Sequence, residues 1–548
     1  MKKLGFLAVG LTSCLLGAFL NSPGKINTSI VENAEKIFGL SFTETQRDSM
    51  LDNLNEQLEN FENLRKLHMP NSTWPSLLFN PIPPGFVVPT GKSSFTASKI
   101  ADVKRPANLE DLAFYSIQEL ANLLRNRRVT SVELTTMYLN RLKKYGPKLE
   151  CVITLTEDLA MKQARRADEE IANGKYRGLL QGIPYGAKDL LAVKGYKTTW
   201  GAMPYRDQMI DQDATVIRRL EEAGAVLVAK LTMGALAWGD VWYGGKTRNP
   251  WNIERGSSGS SAGSASATAA GLVAFAIGTE TWGSIVSPSS ECGATGLRPT
   301  YGRVSRHGAM ALAWTMDKIG PICRNVEDCA IVLNAIVGPD GLDPTLYDYP
   351  FVYDPYLNIK KLRVGYLKSD FDRDSTRAAF HQSTFEVLGK LGVTLTPIEL
   401  PKLPVNDIAF MLSAEAAAAF DDLTLSHRDE QLVRQVKNAW PNVFRSARFI
   451  PAVEYIQASR ARTLVIQDMD ERLRNIDVYL APPFEGDNLL LTNLTGHPCV
   501  VLPNGFDEKG LPRSITFMGK LFGEDEVLAL AKRYQDATEF HKKHPALK

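Results

Sequence analysis

The sequence predicts an α/β protein, with a mixed central β-sheet covered by helices and an added helical segment near the N-terminus. Two observations lead to this prediction. From residue 110 onward, short apolar runs alternate with helical patterns, which is typical of α/β architectures. Residues 28–68 instead carry apolar side chains spaced among Glu, Asn and Gln, which predicts amphipathic helices.

The composition is that of a globular protein. Of 548 residues, 44% are hydrophobic and 23% are charged, enough for one large α/β unit with insertions or for two or three smaller domains. The formal net charge is only +2, from 63 basic and 61 acidic side chains. Nucleic-acid binders carry a clustered positive face, so we expect a small-molecule partner and no nucleic acid.

The N-terminus has the pattern of an export signal. Lys2 and Lys3 precede an apolar stretch over residues 4–20, and turn-forming residues 21–24 follow. The stretch is short for a membrane span, which needs roughly 20 apolar residues. Residues 11–14 also resemble a bacterial lipobox, although apolar residues follow Cys14 directly. We expect a signal peptide or lipoprotein signal over residues 1–22 and a periplasmic or cell-envelope protein, possible membrane attachment being through the N-terminus. A buried N-terminal helix is the alternative.

The rest of the chain divides into two predicted regions. Residues 28–90 form a helical accessory segment followed by a Pro-rich extended linker, because four of the residues 81–89 are proline. Residues 110–540 form the main domain. Its first two helices are marked by the capping boxes Ser116-x-x-Glu119 and Thr130-x-x-Glu133. Strand-like runs at residues 151–155, 182–186 and 225–229 alternate with helices at 158–172 and 214–223, and residues 404–475 are largely helical.

Three segments contain candidate catalytic residues. Residues 256–267 are almost entirely Gly, Ser and Ala, which suits a flexible linker, but they lead into an apolar run that must be buried. Ser284 follows a glycine-containing turn at the end of that run, where preceding N–H groups can face a developing oxyanion. Lys188 lies among small and apolar residues. Such a lysine is usually at the surface, but burial among hydroxyl groups would lower the pKa of its amine and make it a base.

These segments resemble the amidase signature family, which includes fatty acid amide hydrolase, peptide amidases and the A-type component of the tRNA-dependent amidotransferase. The resemblance covers roughly residues 110–540 and implies the fold of that family. It rests on the lysine segment 182–191, the Ser-rich segment 256–267, Gly-Thr-Glu-Thr-Trp-Gly-Ser-Ile at 278–285, and the segments 292–305, 493–498 and 510–512.

The resemblance implies a role for each candidate residue. Ser284 would be the nucleophile, Lys188 the base, and Ser260, following a cis Gly259–Ser260 peptide bond, would pass the proton between them. The oxyanion hole would be built from the backbone amides of Thr281, Trp282, Gly283 and Ser284. An amide, carbamate or ester would be cleaved through an acyl-enzyme, without a metal or organic cofactor.

The chain also departs from the family pattern. Trp282 replaces a glycine before the nucleophile, which places a bulky ring beside the oxyanion hole. Val286 and Ser287 stand where an arginine is common. In some members that arginine pairs with a substrate carboxylate, so a small acidic substrate is disfavoured. Trp238 and Trp282 are candidate substrate contacts, as are Trp242 and Tyr243, although each aromatic residue equally suits core packing.

Three other functions compete with this interpretation. Residues 259–263 fit the nucleophile elbow G-x-S-x-G with Ser261 as nucleophile, but that motif needs a preceding strand and a catalytic histidine. We expect no strand at residues 249–255. An amidotransferase A-type subunit is disfavoured by the export signal, and a non-catalytic binding or scaffold protein on the same fold stays open. The substrate, the oligomeric state and any disulfide among the five cysteines beyond Cys14 also stay open.

Overall fold

The computed structural model describes residues 25–403 and 405–547, which form two compact units, one ending at Pro70 and the other beginning at Asn71. The predicted export signal over residues 1–22, with Cys14, lies outside the described residues. Within them, no helix combines the length and the apolar character that crossing a bilayer requires.

The helices of the described chain are mostly short. The α-helices are α1 (Thr28–Phe38), α2 (Glu44–Ser49), α3 (Leu51–Leu64), α4 (Ile117–Arg125), α5 (Ser131–Leu149), α6 (Glu157–Ala172), α7 (Thr215–Glu222), α8 (Ala262–Ala269), α9 (Val286–Cys292), α10 (Val326–Ile336), α11 (Lys368–Arg373), α12 (Ala378–Lys390), α13 (Phe410–Ala419), α14 (Asp421–Leu425), α15 (Trp440–Ala447), α16 (Ala452–Leu473), α17 (Asn488–Thr495) and α18 (Glu524–Thr538). Residues 405–475 are mainly helical, as predicted.

The strands lie between these helices. They are β1 (Ser94–Phe95), β2 (Val152–Leu155), β3 (Pro184–Lys188), β4 (Val226–Leu231), β5 (Val241–Trp242), β6 (Gly245–Lys246), β7 (Arg248–Asn249), β8 (Asn252–Gly256), β9 (Phe275–Glu280), β10 (Thr295–Arg298), β11 (Lys318–Cys323), β12 (Val352–Tyr353), β13 (Val364–Leu367), β14 (Leu395–Ile398), β15 (Val478–Ala481), β16 (Cys499–Phe506) and β17 (Pro512–Gly519).

The first unit contains α1, α2 and α3, which confirms the predicted N-terminal helical segment. The Asn27 side chain accepts a hydrogen bond from the backbone N–H of Ile30 and caps α1, and a Thr43–Gln46 capping box begins α2. Arg47 and Glu35 form an ion pair at 2.8 Å between the first two helices. Local capping therefore begins the first two helices, and an ion pair connects α1 to α2.

The second unit is built on an eleven-stranded mixed sheet, in the order β14-β13-β15-β17-β16-β10-β11-β9-β3-β4-β2. Strand β3 pairs in parallel with β4 on one side and with β9 on the other. Every residue of these three strands is buried, as expected where both faces of a sheet are covered. The predicted mixed α/β architecture is confirmed, and the carboxyl ends of β3, β4 and β9 meet at one sheet edge.

Local sequence signals determine where the first helices of this unit begin. In α4, the Ser116 hydroxyl accepts from the Glu119 N–H, and the Glu119 carboxylate accepts from the Ser116 N–H. Thr130 and Glu133 form the same reciprocal pair at the start of α5. Both predicted capping boxes are confirmed, because such a box depends only on residues three apart.

The Ser-rich segment is buried, as its position before an apolar run indicated, and one expectation about its surroundings was wrong. From Ala262 onward this segment is the helix α8, whose residues are all buried. Small side chains let the helix approach the sheet closely: a Cβ at Gly263 would lie 2.5 Å from the Cys151 carbonyl oxygen. A strand, β8, also precedes the segment where none was expected, but it pairs only with β7 and its side chains are largely exposed.

All five cysteines of the described chain are buried free thiols, namely Cys151, Cys292, Cys323, Cys329 and Cys499. Burial raises the pKa of the Cys151 and Cys499 thiols to about 12. The side chains therefore act as small buried hydrophobic groups.

A buried ion pair joins the loop after β10 to the start of α18 and gives a test of the fold. The Arg303 guanidinium donates to the Glu524 carboxylate at 3.0 Å and to the Tyr349 carbonyl oxygen at 2.8 Å. We expect Arg303→Met to lower the free energy of unfolding by about 3–5 kcal/mol, because Glu524 would stay buried without its cation. Denaturant unfolding measures the change.

The matched control is Arg105→Met, which removes an arginine from the solvent-exposed pair with Glu133. Exposed pairs are screened by water, so this substitution should leave the unfolding midpoint almost unchanged. Equal losses in the two variants would contradict the role given to Arg303.

Candidate active site

Lys188 is the last residue of β3, and its side chain is completely buried. Its Nζ lies 2.8 Å from the Ser260 Oγ, 3.1 Å from the Ser261 Oγ and 2.7 Å from the Thr279 Oγ1. The amine is thus surrounded by three hydroxyl groups, with the Thr279 carbonyl oxygen at 3.4 Å. The setting that a basic lysine requires is present.

Burial decides the charge of this amine. Loss of solvent lowers the pKa of Lys188 to about 7, and the negative charges of Asp317 and Glu280 oppose the shift. Near neutral pH, a substantial fraction of Lys188 is therefore an uncharged amine that can accept a proton from a neighbouring hydroxyl group.

Ser260 lies at the junction between β8 and α8. The Gly259–Ser260 peptide bond is cis, as the family resemblance implies. A Cβ at Gly259 would lie 1.8 Å from the Gly239 carbonyl oxygen, so this position accepts only glycine. The Ser260 carbonyl oxygen accepts a hydrogen bond from the Gly234 N–H at 3.3 Å. The loop over residues 234–240 therefore packs directly against the serine segment.

Ser284 lies in the short loop between β9 and α9. The N–H of Ser261 donates to the Ser284 carbonyl oxygen at 3.2 Å, which joins this loop to the Ser260 segment. Gly283 has φ +88°, in the left-handed region, and a Cβ there would lie 3.0 Å from Leu489. The structure thus places Lys188 in direct contact with Ser260, and it connects Ser284 to that pair through the backbone.

The loop that carries Ser284 is anchored by Glu280, the last residue of β9. One carboxylate oxygen accepts from the N–H groups of Ile285 and Val286 at 2.8 and 2.9 Å. The other accepts from Arg298 at 2.7 Å and from the Asn493 amide at 2.9 Å. Burial opposes ionisation, but Arg298 and the donated hydrogen bonds more than offset it, so the pKa of Glu280 is lowered.

A second buried ion pair supports the turn after Lys188. Asp189 and Lys230 approach to 2.8 Å, and neither side chain is exposed. Asp189 also accepts from the backbone N–H of Thr199 at 2.8 Å, and the Lys230 amine donates to Thr198 Oγ1 at 2.7 Å. Lys188 is therefore held by a strand and by a fixed turn.

Thr281 and Trp282, the first two oxyanion candidates, differ in exposure, because Thr281 is buried and Trp282 is exposed. The Thr281 hydroxyl donates to the Asp317 carboxylate at 2.6 Å, and burial raises the pKa of Asp317. The Trp282 side chain is 45% exposed, the largest exposure in residues 280–286. A ring at this position can contact a bound molecule at the surface of the site.

The other aromatic candidates lie on or just after the loop over residues 234–240, which packs against Gly259. Trp238 is half-buried, in edge contact with Trp440 and under the Arg434 guanidinium at 5.3 Å. Trp242 is buried against Tyr243, which favours core packing for that pair. Across residues 25–403 and 405–547, no group of three or more His, Cys, Asp or Glu side chains is placed to hold a metal ion.

A small cavity of about 40 Å³ adjoins the site. Thr279 and Thr281 form one wall, and the loop over residues 306–312 forms another. Asp317 and Lys318 also reach it, and burial lowers the pKa of Lys318 well below its usual value. The cavity therefore touches both the neighbour of the Lys188 amine and the loop that carries Ser284.

Sequence reasoning missed the residues that hold the candidates in place. Thr279, Glu280 and Arg298 lie within the family motifs, but no role was predicted for them. A usable signal was present, because Glu280 ends a strand that begins as an apolar run, and a charged residue buried there needs a partner. The identity of that partner, 18 residues away, required the three-dimensional structure.

A comparison with protein-family models identifies the family. The amidase model matches residues 133–528. The chain belongs to the amidase signature family. This match includes the segments of Lys188, Ser260 and Ser284 and all strands of the eleven-stranded sheet.

Curated relatives and solved structures agree with this assignment. The glutamyl-tRNA(Gln) amidotransferase A-type subunit of Carboxydothermus hydrogenoformans is 33% identical over 487 residues, covering 80% of this amidase-family chain and 100% of that protein. Its counterpart from Methylococcus capsulatus is 35% identical, with 79% and 98% covered. The native peptide amidase from Stenotrophomonas maltophilia superposes with a TM-score of 0.71 at 30% identity, covering 78% of this chain and 98% of that chain.

The anchoring role of Glu280 can be tested by Glu280→Gln. The amide nitrogen of glutamine would face groups that all donate hydrogen bonds, so the Ser284 loop should shift. We expect amide or ester hydrolysis to fall about a hundredfold, the order of loss that a 1 Å displacement of catalytic groups produces. Steady-state kinetics measure the fall, and thermal unfolding should show a lower midpoint.

Glu254→Gln is the matched control, because Glu254 is exposed on β8. It should change neither rate nor midpoint. Full activity in Glu280→Gln would show that the loop does not depend on this carboxylate.

Proposed function

We propose that this chain hydrolyses a carboxylic amide, or a closely related carbamate or ester, through an acyl-enzyme formed on Ser284. The observation that carries the proposal is the fully buried contact between the Lys188 amine and the Ser260 hydroxyl at 2.8 Å. A lysine with a lowered pKa beside a serine is a base next to a proton carrier. Membership of the amidase signature family supports the same chemistry.

In the first half of the reaction, the uncharged Lys188 amine accepts the Ser260 hydroxyl proton. Ser260 in turn accepts the proton of Ser284, whose oxygen attacks the carbonyl carbon of the substrate. The carbonyl oxygen becomes negative as the tetrahedral intermediate forms. Two serines and one amine thus carry a single proton away from the nucleophile.

In the second half, the proton returns through Ser260 to the departing amine, and the bond from carbon to nitrogen breaks. An acyl ester on Ser284 remains. Water then loses a proton to the same Ser260–Lys188 pair and attacks the ester carbon. The bond between that carbon and Ser284 Oγ breaks, the proton passes back through Ser260 to the Ser284 oxygen, and the carboxylic acid leaves. The proton balance closes without a cofactor.

We assign the oxyanion hole to the N–H groups of residues 281–284. Glu280 already accepts from the next two N–H groups of the loop, at Ile285 and Val286. The left-handed conformation of Gly283 turns the backbone just before the nucleophile. Backbone donors fixed in this way stabilise developing charge because they need no reorganisation during the reaction.

We further propose that the enzyme is exported, with residues 1–22 as its signal. The basic start and apolar stretch support this, and location in the periplasm or cell envelope follows, with attachment at Cys14 as one form. The proposed partner is a small-molecule amide. The 30% identity to a peptide amidase supports amide hydrolysis without naming the substrate.

A second candidate function is that of an amidotransferase A-type subunit. It is favoured by the 33–35% identity to such subunits of glutamyl-tRNA(Gln) amidotransferase over about four-fifths of the chain. Such a protein works with other subunits, and we expect that work to take place in the cytoplasm. Cell fractionation separates the two candidates: export of the full chain supports the hydrolase, and retention with co-purifying subunits supports the amidotransferase.

The catalytic assignment is tested with a panel of p-nitroanilides, primary amides including glutamine, and p-nitrophenyl esters. We expect Ser284→Ala and Lys188→Ala each to lower kcat/KM by a factor on the order of 10³ or more, since residues that act as a unit fail together. Labelling by a fluorophosphonate should disappear in Ser284→Ala.

Ser264→Ala is the matched control, because Ser264 is also buried near the site but donates only to the Ile277 carbonyl oxygen. It should keep the activity and the labelling. Unchanged activity in Ser284→Ala would refute the assignment, and a wild type that is neither active nor labelled would favour a non-catalytic binding protein.

The lowered pKa of Lys188 predicts the pH dependence. Below about pH 7 the amine is protonated and cannot accept a proton, so kcat/KM should fall by about tenfold per pH unit and be level above pH 8. A pH–rate profile from pH 5 to 9 measures this. Lys188→Arg should be inactive throughout, because an arginine stays charged. A wild-type profile that is flat between pH 5 and 8 would contradict a lysine base.

A further inference from the structure

Residues 71–79 lie outside residues 133–528, which the family model matches. This segment nevertheless makes direct contacts with the rest of the second unit. The Asn71 amide donates to the Ala311 carbonyl oxygen at 2.9 Å and to the Ala419 carbonyl oxygen at 3.2 Å. Its side-chain oxygen accepts from the Ala311 N–H at 2.7 Å. One side chain thus fixes the segment to the loop over residues 306–312 and to the end of α13.

Two aromatic residues of this segment cover buried arginines. The Arg306 guanidinium lies 4.5 Å from the Trp74 ring centre, and Arg306 is itself held by Asp343 at 3.1 Å. The Arg462 guanidinium carbon likewise lies 3.5 Å from the Phe79 ring centre. Because Arg306 is buried and paired with Asp343, the Trp74 ring lies against a side chain whose position is fixed.

Trp74 forms part of the wall of the small cavity beside the active site. Thr279, which contacts the Lys188 amine, and Thr281, in the Ser284 loop, line the same cavity. Its volume of about 40 Å³ corresponds to roughly three water molecules. The cavity therefore connects the proposed chemistry to a residue from outside the family region.

The lining favours an apolar occupant. The Asp317 carboxylate already accepts from the Thr281 hydroxyl and from the Leu312 N–H, and the Lys318 amine donates to the Met316 carbonyl oxygen. With these polar groups engaged, most of the remaining surface is hydrocarbon, supplied by Leu190, Ala237, Met310, Leu312, Trp314 and Ile319.

We propose that this cavity receives the substituent on the carbonyl carbon of the substrate, and that Trp74 limits it to a short aliphatic acyl group. The inference rests on the proposed function, because it assumes acyl transfer to Ser284. A group attached to a carbonyl in the oxyanion hole starts beside Thr281, and the cavity begins at that residue. Two to three carbon atoms fill the space before the indole blocks it.

The test compares p-nitrophenyl acetate, butyrate, hexanoate and octanoate as substrates. The wild type should prefer acetate or butyrate. In Trp74→Ala the optimum should shift by at least two carbons, and the ratio of kcat/KM for hexanoate to that for acetate should rise about tenfold or more. This is the scale on which buried methylene groups alter recognition. Trp74→Phe should lie between the wild type and Trp74→Ala.

Phe79→Leu is the matched control. Phe79 lies on the same segment and also covers an arginine, but it is not part of the cavity wall. It should leave the chain-length profile unchanged. An equal shift in Phe79→Leu would overturn the proposal, because loosening of the whole segment would then explain the result.

The remaining outcomes separate this proposal from the proposed function. If Ser284→Ala abolishes hydrolysis of every ester but Trp74→Ala keeps the wild-type profile, the acyl-enzyme stands and the role of Trp74 is wrong. If Ser284→Ala keeps the activity, or the wild type hydrolyses none of the esters, the proposed function fails and this inference fails with it.

Discussion

The candidate site depends on one buried interaction, the contact between Glu280 and Arg298. Neither side chain is exposed, so the ion pair must recover the cost of removing two charges from water through good geometry and additional hydrogen bonds. Those bonds are present, and they determine the architecture. Glu280 accepts hydrogen bonds from a backbone N–H of the Ser284 loop and from the Asn493 side-chain amide on α17. Arg298 also donates to the His497 carbonyl oxygen. The end of β9, the start of α9 and the region after α17 are thereby held together.

Two of the buried basic residues near the loop, Arg298 and Lys188, have opposite surroundings, and their chemistry explains the difference. Arg298 is paired with the Glu280 carboxylate at 2.7 Å, and guanidinium groups in general stay charged in proteins. Lys188 has hydroxyl groups around its amine and no carboxylate at contact distance among the described residues, so burial lowers its pKa to about 7. An anchor needs a permanent charge, whereas a base needs one that can be lost. Each residue type suits its place on this criterion.

The sequence predicted well what depends on neighbouring residues. The capping boxes at Ser116 and Thr130 involve residues three apart, and the alternation of apolar runs with helical patterns was enough for the mixed α/β sheet. Lys188 and Ser260 are 72 residues apart, and only the family resemblance linked them before the structure showed their contact. The helix α8 was missed because Ser, Gly and Ala carry no apolar periodicity, although burial against the sheet stabilises it. The short strand β8 was missed because its exposed side chains carry no apolar pattern either.

Residues 133–528 and the segment that contains Trp74 have different structural roles, for the same physical reason. Residues 133–528 supply the strand ends and loops on which the proposed chemistry occurs, and the positions of these groups are fixed by buried charges and backbone contacts. Such a region tolerates little change, because each buried charge would lose a partner. A segment that rests on its outside can vary at lower cost, since Trp74 is only half-buried and lies on an arginine that Asp343 already neutralises. A wall formed by such a segment can therefore change the size of the cavity without disturbing Lys188, Ser260 or the Ser284 loop.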